Sequence, residues 1–259
     1  MNTTQSRLPG SASRFESSSD RGLPDDFWSR SNPGLPKGPG ASSRCQRALS
    51  LRWASMDLGD DPDTWRDKDG RAWRIGTAAD LTWIRENTGT GMAITTAIPP
   101  VFEAYATVQL PVTPNASGWV WDEPPDRHEA SVLGVLRMHT AGQPWWLGYL
   151  ITGLDAEAAF HDIPKVLLYG WRYALIQAGP EQAGSWRATP DPWKGALPNL
   201  MFPADRSWLV STMWDDYYAC IGGPRSLIET FLVHPDLGHR VVEVDPSMED
   251  VTPPKRAET

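Results

Sequence analysis

Between Arg206 and Val233 the chain reads RSWLVSTMWDDYYACIGGPRSLIETFLV, and this stretch alone demands a fold that joins sheet to helix. Trp208, Val210 and Thr212 alternate with Leu209, Ser211 and Met213, a period of two rich in β-formers. Trp214-Asp215-Asp216 supplies turn chemistry, and Tyr217 to Ile221 forms a second β run. Gly222-Gly223 is expected to break that run, and Pro224 fits a first helical position, where its missing N–H costs nothing. Leu227, Ile228 and Phe231 then fall at helical spacing. Val241 to Val244 returns as a last strand. The unit is a hairpin followed by a packed helix.

The rest of the chain repeats that mixture without an internal repeat. Trp65 to Ile75 reads as a hairpin around Asp69-Gly70. Thr77 and Asp80 have capping-box spacing for a helix through about Asn87. Val101 to Leu110 alternates as a half-buried strand, with Tyr105, Thr107 and Gln109 on its wetter side. Arg127 to Thr140 predicts a helix with His128, Val132, Val135 and His139 on one side. Trp145 to Ile151 and Val166 to Gln177 read as strands, the longer one bent at Gly170, and Pro180 to Arg187 as a short helix. Hairpins separated by helices predict an α+β fold: a single, mostly antiparallel sheet with helices on one face.

Charge divides the chain. Residues 1–55 hold 8 Lys+Arg and 4 Asp+Glu, a balance of +4. The whole chain has 24 and 32, which leaves 16 and 28 for residues 56–259, a balance of −12. A body that acidic repels phosphate backbones, so nucleic acid is a poor partner and a basic protein a good one. Residues 1–55 are rich in Ser, Gly, Pro and Arg and are expected to be a disordered or weakly ordered extension. Residues 56–245 form the expected single domain, and residues 246–259 a flexible tail. Met56 stands where the composition changes and is a candidate start. No apolar run approaches the ~20 residues of a membrane span. Cys45 and Cys220 are expected to be thiols in a reducing setting, which together with the lack of a secretory signal points to the cytoplasm.

Chemistry is thinly signalled. The five histidines show no metal-ligand spacing: His128 and His139 share a helix face about 16 Å apart along the axis, too far to hold one ion. No metal and no cofactor is expected. Gly222 to Ser226 could hold an anion on backbone N–H groups, but a strand-to-helix turn is the plainer reading. Cys220 is expected to be a buried strand cysteine rather than a nucleophile. Tryptophan is abundant, with 12 of the 14 after residue 55. Trp73, Trp83, Trp171 and Trp208 lie inside periodic elements and are expected in the core. Trp121, Trp145, Trp193 and Trp214 lie at loops or element ends and are the surface candidates.

Two acidic, aromatic loops remain. One carries Trp121, Asp122, Glu123 and Asp126, the other Trp214, Asp215, Asp216 and Tyr217. Solvated turns are the plain reading, yet this mixture is also what a surface for a basic partner contains. Trp121, Asp122, Trp214, Asp215, Asp216 and Tyr217 are therefore the candidate partner-binding residues. The function expected is a protein-binding module, immunity-like or regulatory, monomeric or weakly dimeric. The alternatives are a hydrolase or transferase using carboxylates or Cys220 in a Trp-lined pocket, and a carbohydrate-binding domain.

The strings AIPPVFEAYATV (97–108), PWWLGYL (144–150) and SWLVSTMWDDYYACIGG (207–223) resemble those of uncharacterised cytoplasmic proteins of actinobacteria. The resemblance spans most of residues 65–245 and implies no activity.

Overall fold

A computed structural model describes residues 63–115, 118–122, 125–140, 142–152, 154–186, 197–213 and 216–251. Residues 1–62, on which the readings of the extension and of Met56 fall, lie outside the described residues, as do Trp193, Trp214 and Asp215. The strands are β1 (Thr64–Arg66), β2 (Ala72–Ile75), β3 (Ala104–Gln109), β4 (Val112–Asn115), β5 (Gly118–Trp121) and β6 (Trp145–Leu150). They continue as β7 (Lys165–Leu168), β8 (Trp171–Ala178), β9 (Leu200–Pro203), β10 (Leu209–Ser211), β11 (Tyr218–Gly223) and β12 (Val241–Glu243). The helices are α1 (Thr82–Arg85), α2 (Pro125–Met138), α3 (Leu154–Ala159), α4 (Pro180–Ser185) and α5 (Arg225–Val233). Ten strands make one sheet in the order β1-β2-β8-β6-β9-β10-β11-β3-β12, with β7 also on β8, and every strand pair in it is antiparallel. β4 and β5 form a separate hairpin. The fold is α+β, as the periodicities predict.

Local chemistry explains several elements. The β1–β2 turn closes on Asp67, whose carboxylate accepts the N–H groups of Asp69 and Arg71 and the Trp73 indole at 2.8 Å. Asp80 reaches back to the N–H and hydroxyl of Thr77 at 2.8 and 2.9 Å, satisfying an orphan donor at the start of the 3-10 turn Ala78–Leu81 that leads into α1. The helical segment ends at Arg85, just short of the expected Asn87.

Helices α2 to α5 lie on one face of the sheet. Val132, Leu133, Val135 and Leu136 of α2 and Leu227, Ile228 and Phe231 of α5 pack there against Ala106, Val108, Leu147, Ile176, Met201 and Ile221. The other face is covered too, by shorter pieces. Leu81, Ile84, Ile94 and Ile98, with Val244 and Val251, pack there on Tyr105, Trp146, Leu175, Leu200, Phe202 and Cys220. Ordered packing thus reaches Val251, into the stretch read as a tail, and the Val251 N–H donates to Met92 O.

Three local readings are corrected. Residues 104–109 are not half-buried: Tyr105 and Thr107 are as enclosed as Ala106, because the second layer covers their side of β3. Val166 to Gln177 is not one bent strand but the β7–β8 hairpin, Leu168 opposite Trp171. Its two turn residues, Tyr169 and Gly170, have φ of 55° and 81°, the left-handed pair a two-residue primed turn requires. Tyr169 holds this unusual conformation with its hydroxyl donating to Ala97 O at 2.8 Å. Lastly, Gly222-Gly223 does not break β11 but continues it opposite Tyr105 and Ala104. A Cβ on Gly222 would lie 2.5 Å from both Ile98 and Phe102, so the glycine is there for close approach rather than for a turn. Pro224 accordingly caps α5 from outside, its carbonyl accepting Leu227 N–H at 3.0 Å.

Candidate functional site

The structure brings Asp122 and Asp216-Tyr217, one described part of each acidic stretch, to one end of the sheet. β3 leads into Leu110 and Pro111, and β11 begins beside it at Tyr218, opposite Gln109. The Leu110 N–H donates to Tyr217 O at 2.8 Å, and the Asp122 N–H donates to Pro111 O at 2.8 Å. The backbones carrying Asp122 and Asp216-Tyr217 are therefore held against two consecutive residues. Asp122 is exposed and accepts the Thr113 hydroxyl at 2.6 Å. Asp216 is half-buried, and its charge helps push the Cys220 thiol up to about 12, behind burial as the main cause. Tyr217 is half-buried, edge-on to Tyr218 at 5.6 Å, and packs on the second core layer. The backbone of Trp121 ends β5 opposite Val112. Asp126 sits exposed in the first turn of α2 rather than in a loop.

Beneath this end, between α2 and the sheet, is a cavity of about 60 Å³. Its floor follows from strand register. Val108 pairs with Ala219, and the next residues across are Thr212 and Asn199, joined by a 2.7 Å backbone bond. Small Ala219 and Thr212 leave the floor low. One row further in lie Met201, Val210 and Ile221, and the roof is His128, Glu129 and Val132 of α2. Leu110, Leu197, Thr212 and Ala219 are half-buried and mark the mouth.

Most of the polar lining is already committed. Asn199 is fixed by accepting Leu150 N–H at 3.1 Å and donating to Thr212 O at 3.4 Å. His128 is only 4% exposed, and its Nδ1 sits 3.2 Å from an Arg240 guanidinium nitrogen. Guanidinium can only donate, so Nδ1 accepts and the neutral ring carries its proton on Nε2. Burial, then the Arg240 charge, pull the ring down from 6.5 to about 3. Arg240 is itself held by Asp236 O at 3.1 Å, while the Asp236 carboxylate pairs with Arg127 and accepts the Ser131 hydroxyl at 3.3 Å. The Arg127 partnership holds the Asp236 carboxyl below the usual carboxylate range.

The other candidate chemistries are placed as follows. Cys220 is buried at 3% exposure on the opposite face of the sheet from the cavity, in line with the inert reading. The start of α5 holds a carboxylate of the chain itself: Arg225 N–H donates to Glu103 at 3.1 Å and its side chain pairs with Glu243 at 3.0 Å. A mobile anion would have to displace Glu103. No group of three metal-ligating side chains converges among the described residues. Trp145, expected at the surface, is fully buried edge-on to Trp208 at 4.9 Å, because its strand lies in the middle of the sheet. Trp73 and Trp208 are core, whereas Trp83 and Trp171 are only half-buried.

Sequence reasoning missed the cavity. Its one legible signal was His128 on the same helix stripe as Val132 and Val135, which predicts burial. The Arg240 contact, 112 residues away, has no such signal. No helix among the described residues is long and apolar enough to cross a membrane. No known protein family, curated protein or solved structure matches the chain.

Proposed function

We propose that this chain is a cytoplasmic protein-binding module, immunity-like or regulatory, that takes a basic partner at the end of the sheet where its acidic loops meet, and that it acts as a monomer or weak dimer. One observation carries the reading: Asp122 and Asp216 come from stretches far apart in sequence, yet their backbones are tied to the adjacent residues Pro111 and, through Tyr217, Leu110. Asp126 adds a further exposed carboxylate from α2. Such a rim steers a cationic surface into place and raises the association rate more than the final affinity. The half-buried Tyr217 gives the rim an apolar flank, as interface cores require.

The test compares the full chain with an Asp122→Asn/Asp216→Asn variant as baits for proteins of a native lysate. A stoichiometric basic partner, with association that slows in high salt and slows for the variant, is the expected result. A partner that binds both baits with the same rate at every salt concentration would remove the acidic surface from the interface. Recovery of no stoichiometric partner would remove protein binding itself.

A further inference from the structure

We infer that the cavity between α2 and the sheet is a socket for one aliphatic side chain, leucine or isoleucine in size, carried on a basic segment of the partner. The inference rests on the protein-binding reading. At about 60 Å³ the cavity is the size of a single small aliphatic side chain rather than of an aromatic ring, for which about 150 Å³ is needed. It is also small for a free ligand, whose pockets run to several hundred Å³ and bury most of the molecule. A lone four-carbon molecule could not offset its own loss of translational freedom, whereas a side chain on a docked partner shares that cost with the rest of the interface.

The lining selects the chemistry. Val108, Val132, Met201, Val210 and Ile221 present hydrocarbon. Of the polar lining, Asn199 is committed to the backbone, His128 is neutral with one nitrogen already engaged by Arg240, and Glu129 is a buried carboxylate at the roof. The hydrocarbon contact is therefore offered by the floor and by Val132. The charge outside selects what surrounds that side chain. Asp122 and Asp126 are exposed, and Asp236 already neutralises Arg127, so the rim favours a cationic segment. Apolar sockets ringed by polar groups are where interface anchors concentrate binding energy.

The full chain would be titrated with two probe peptides, five residues long: four lysines around a central leucine, and the same with alanine. Affinity is read by shifts of the methyl signals of Val108, Val132, Val210 and Ile221. The leucine peptide should bind roughly fiftyfold tighter, the scale expected for burying its three extra carbons. Ala219→Leu, which fills the socket from its floor, should erase that difference while both peptides still weaken together in high salt. If Ala219→Leu does not fold, Thr212→Leu fills the same space from the mouth. Equal affinity for the two peptides overturns the socket but leaves the acidic surface standing if binding is salt-sensitive. A leucine preference that survives both filled variants also overturns it, as does a socket whose methyl shifts track protein concentration instead of peptide, which would make the occupant a second copy. Failure of both peptides to bind overturns socket and surface together.

Discussion

Replacing His128 with Asn should flatten the dependence of stability on pH. The folded ring titrates near 3 against an unfolded value of 6.5, so between those limits the unfolded chain binds a proton that the folded one refuses. The folded pKa is depressed. Its contribution is therefore fully present above pH 6.5 and is lost as pH falls towards 3. Two-state linkage puts the loss at about 2 kcal/mol between pH 7 and pH 5. The groups around the ring do not cancel this. Arg240 stays charged, and Asp236 is held below the usual carboxylate range by Arg127 and so stays ionised across that window. His139 is also lowered by burial and adds a smaller loss of the same sign, in both proteins. Asn keeps an oxygen that can accept from Arg240 but does not titrate. Urea midpoints followed by tryptophan fluorescence at several pH values from 7 to 5 would measure both proteins. The wild type should lose stability steeply and the variant only slightly; parallel curves would show that His128 is free to take a proton, contradicting its neutral, Arg240-bound state.

Gly222→Ala should cost about 1–3 kcal/mol in chemical denaturation, because its methyl would collide with Ile98 and Phe102 inside a paired strand. Tyr169→Phe should cost about 1 kcal/mol by deleting the bond to Ala97 O; a neutral result would mean the primed turn holds without its anchor. In a variant lacking Cys45, Cys220 should react with a thiol reagent no faster than the protein unfolds, given a buried thiol pushed up to about 12. The Asp122→Asn/Asp216→Asn variant should keep its stability within about 0.5 kcal/mol, the range of surface changes, and a larger loss would place Asp216 in a structural network.

What could be read from the residues was what neighbours in sequence decide. The hairpin and helix of residues 208–233, the turn after β1 and the Thr77–Asp80 start each rest on interactions within a few positions, and periodicity or capping chemistry reports them. Two of the misreadings, at Tyr105-Thr107 and at Gly222, share one cause: a second layer on the sheet that has no local signature. Tyr105 and Thr107 looked half-wet because their oxygens suggest water, yet Tyr105 meets Phe102 N–H and Pro99 O within that layer. Gly222-Gly223 looked like a break because two glycines usually release the backbone, while here they admit Ile98, Phe102 and Leu227. Tyr169 concealed a turn because a bulky residue rarely accepts positive φ. The acidic stretches were legible as such, but the convergence of Asp122 and Asp216-Tyr217 on Leu110-Pro111 was not. The cavity draws on β3, α2, β9, β10 and β11, and register alone shows that they meet.

Burial on both faces bears on where any function can lie. A sheet with one wet face can bind across its strands, but here both faces are spent on core, leaving loop ends and edges. The edge at β12 is only three residues long, and its Glu243 is paired with Arg225, a guarded edge that discourages added strands. Acidic side chains are also kept outside: among the described residues only Asp67 and Glu129 are buried carboxylates. Asp67 is explained by its turn. Glu129 lies on the roof of the cavity, at the same end of the sheet as the exposed acids. A long-range acidic field can bring many basic surfaces near and cannot by itself choose among them, since screening blurs it beyond about 10 Å. Choice requires contact, and the cavity offers a shaped, largely apolar contact next to that field. On the proposed reading, steering by Asp122 and Asp126 and selection by the space above Ala219 are separable: one set of substitutions should change how fast a partner arrives and the other which partner stays.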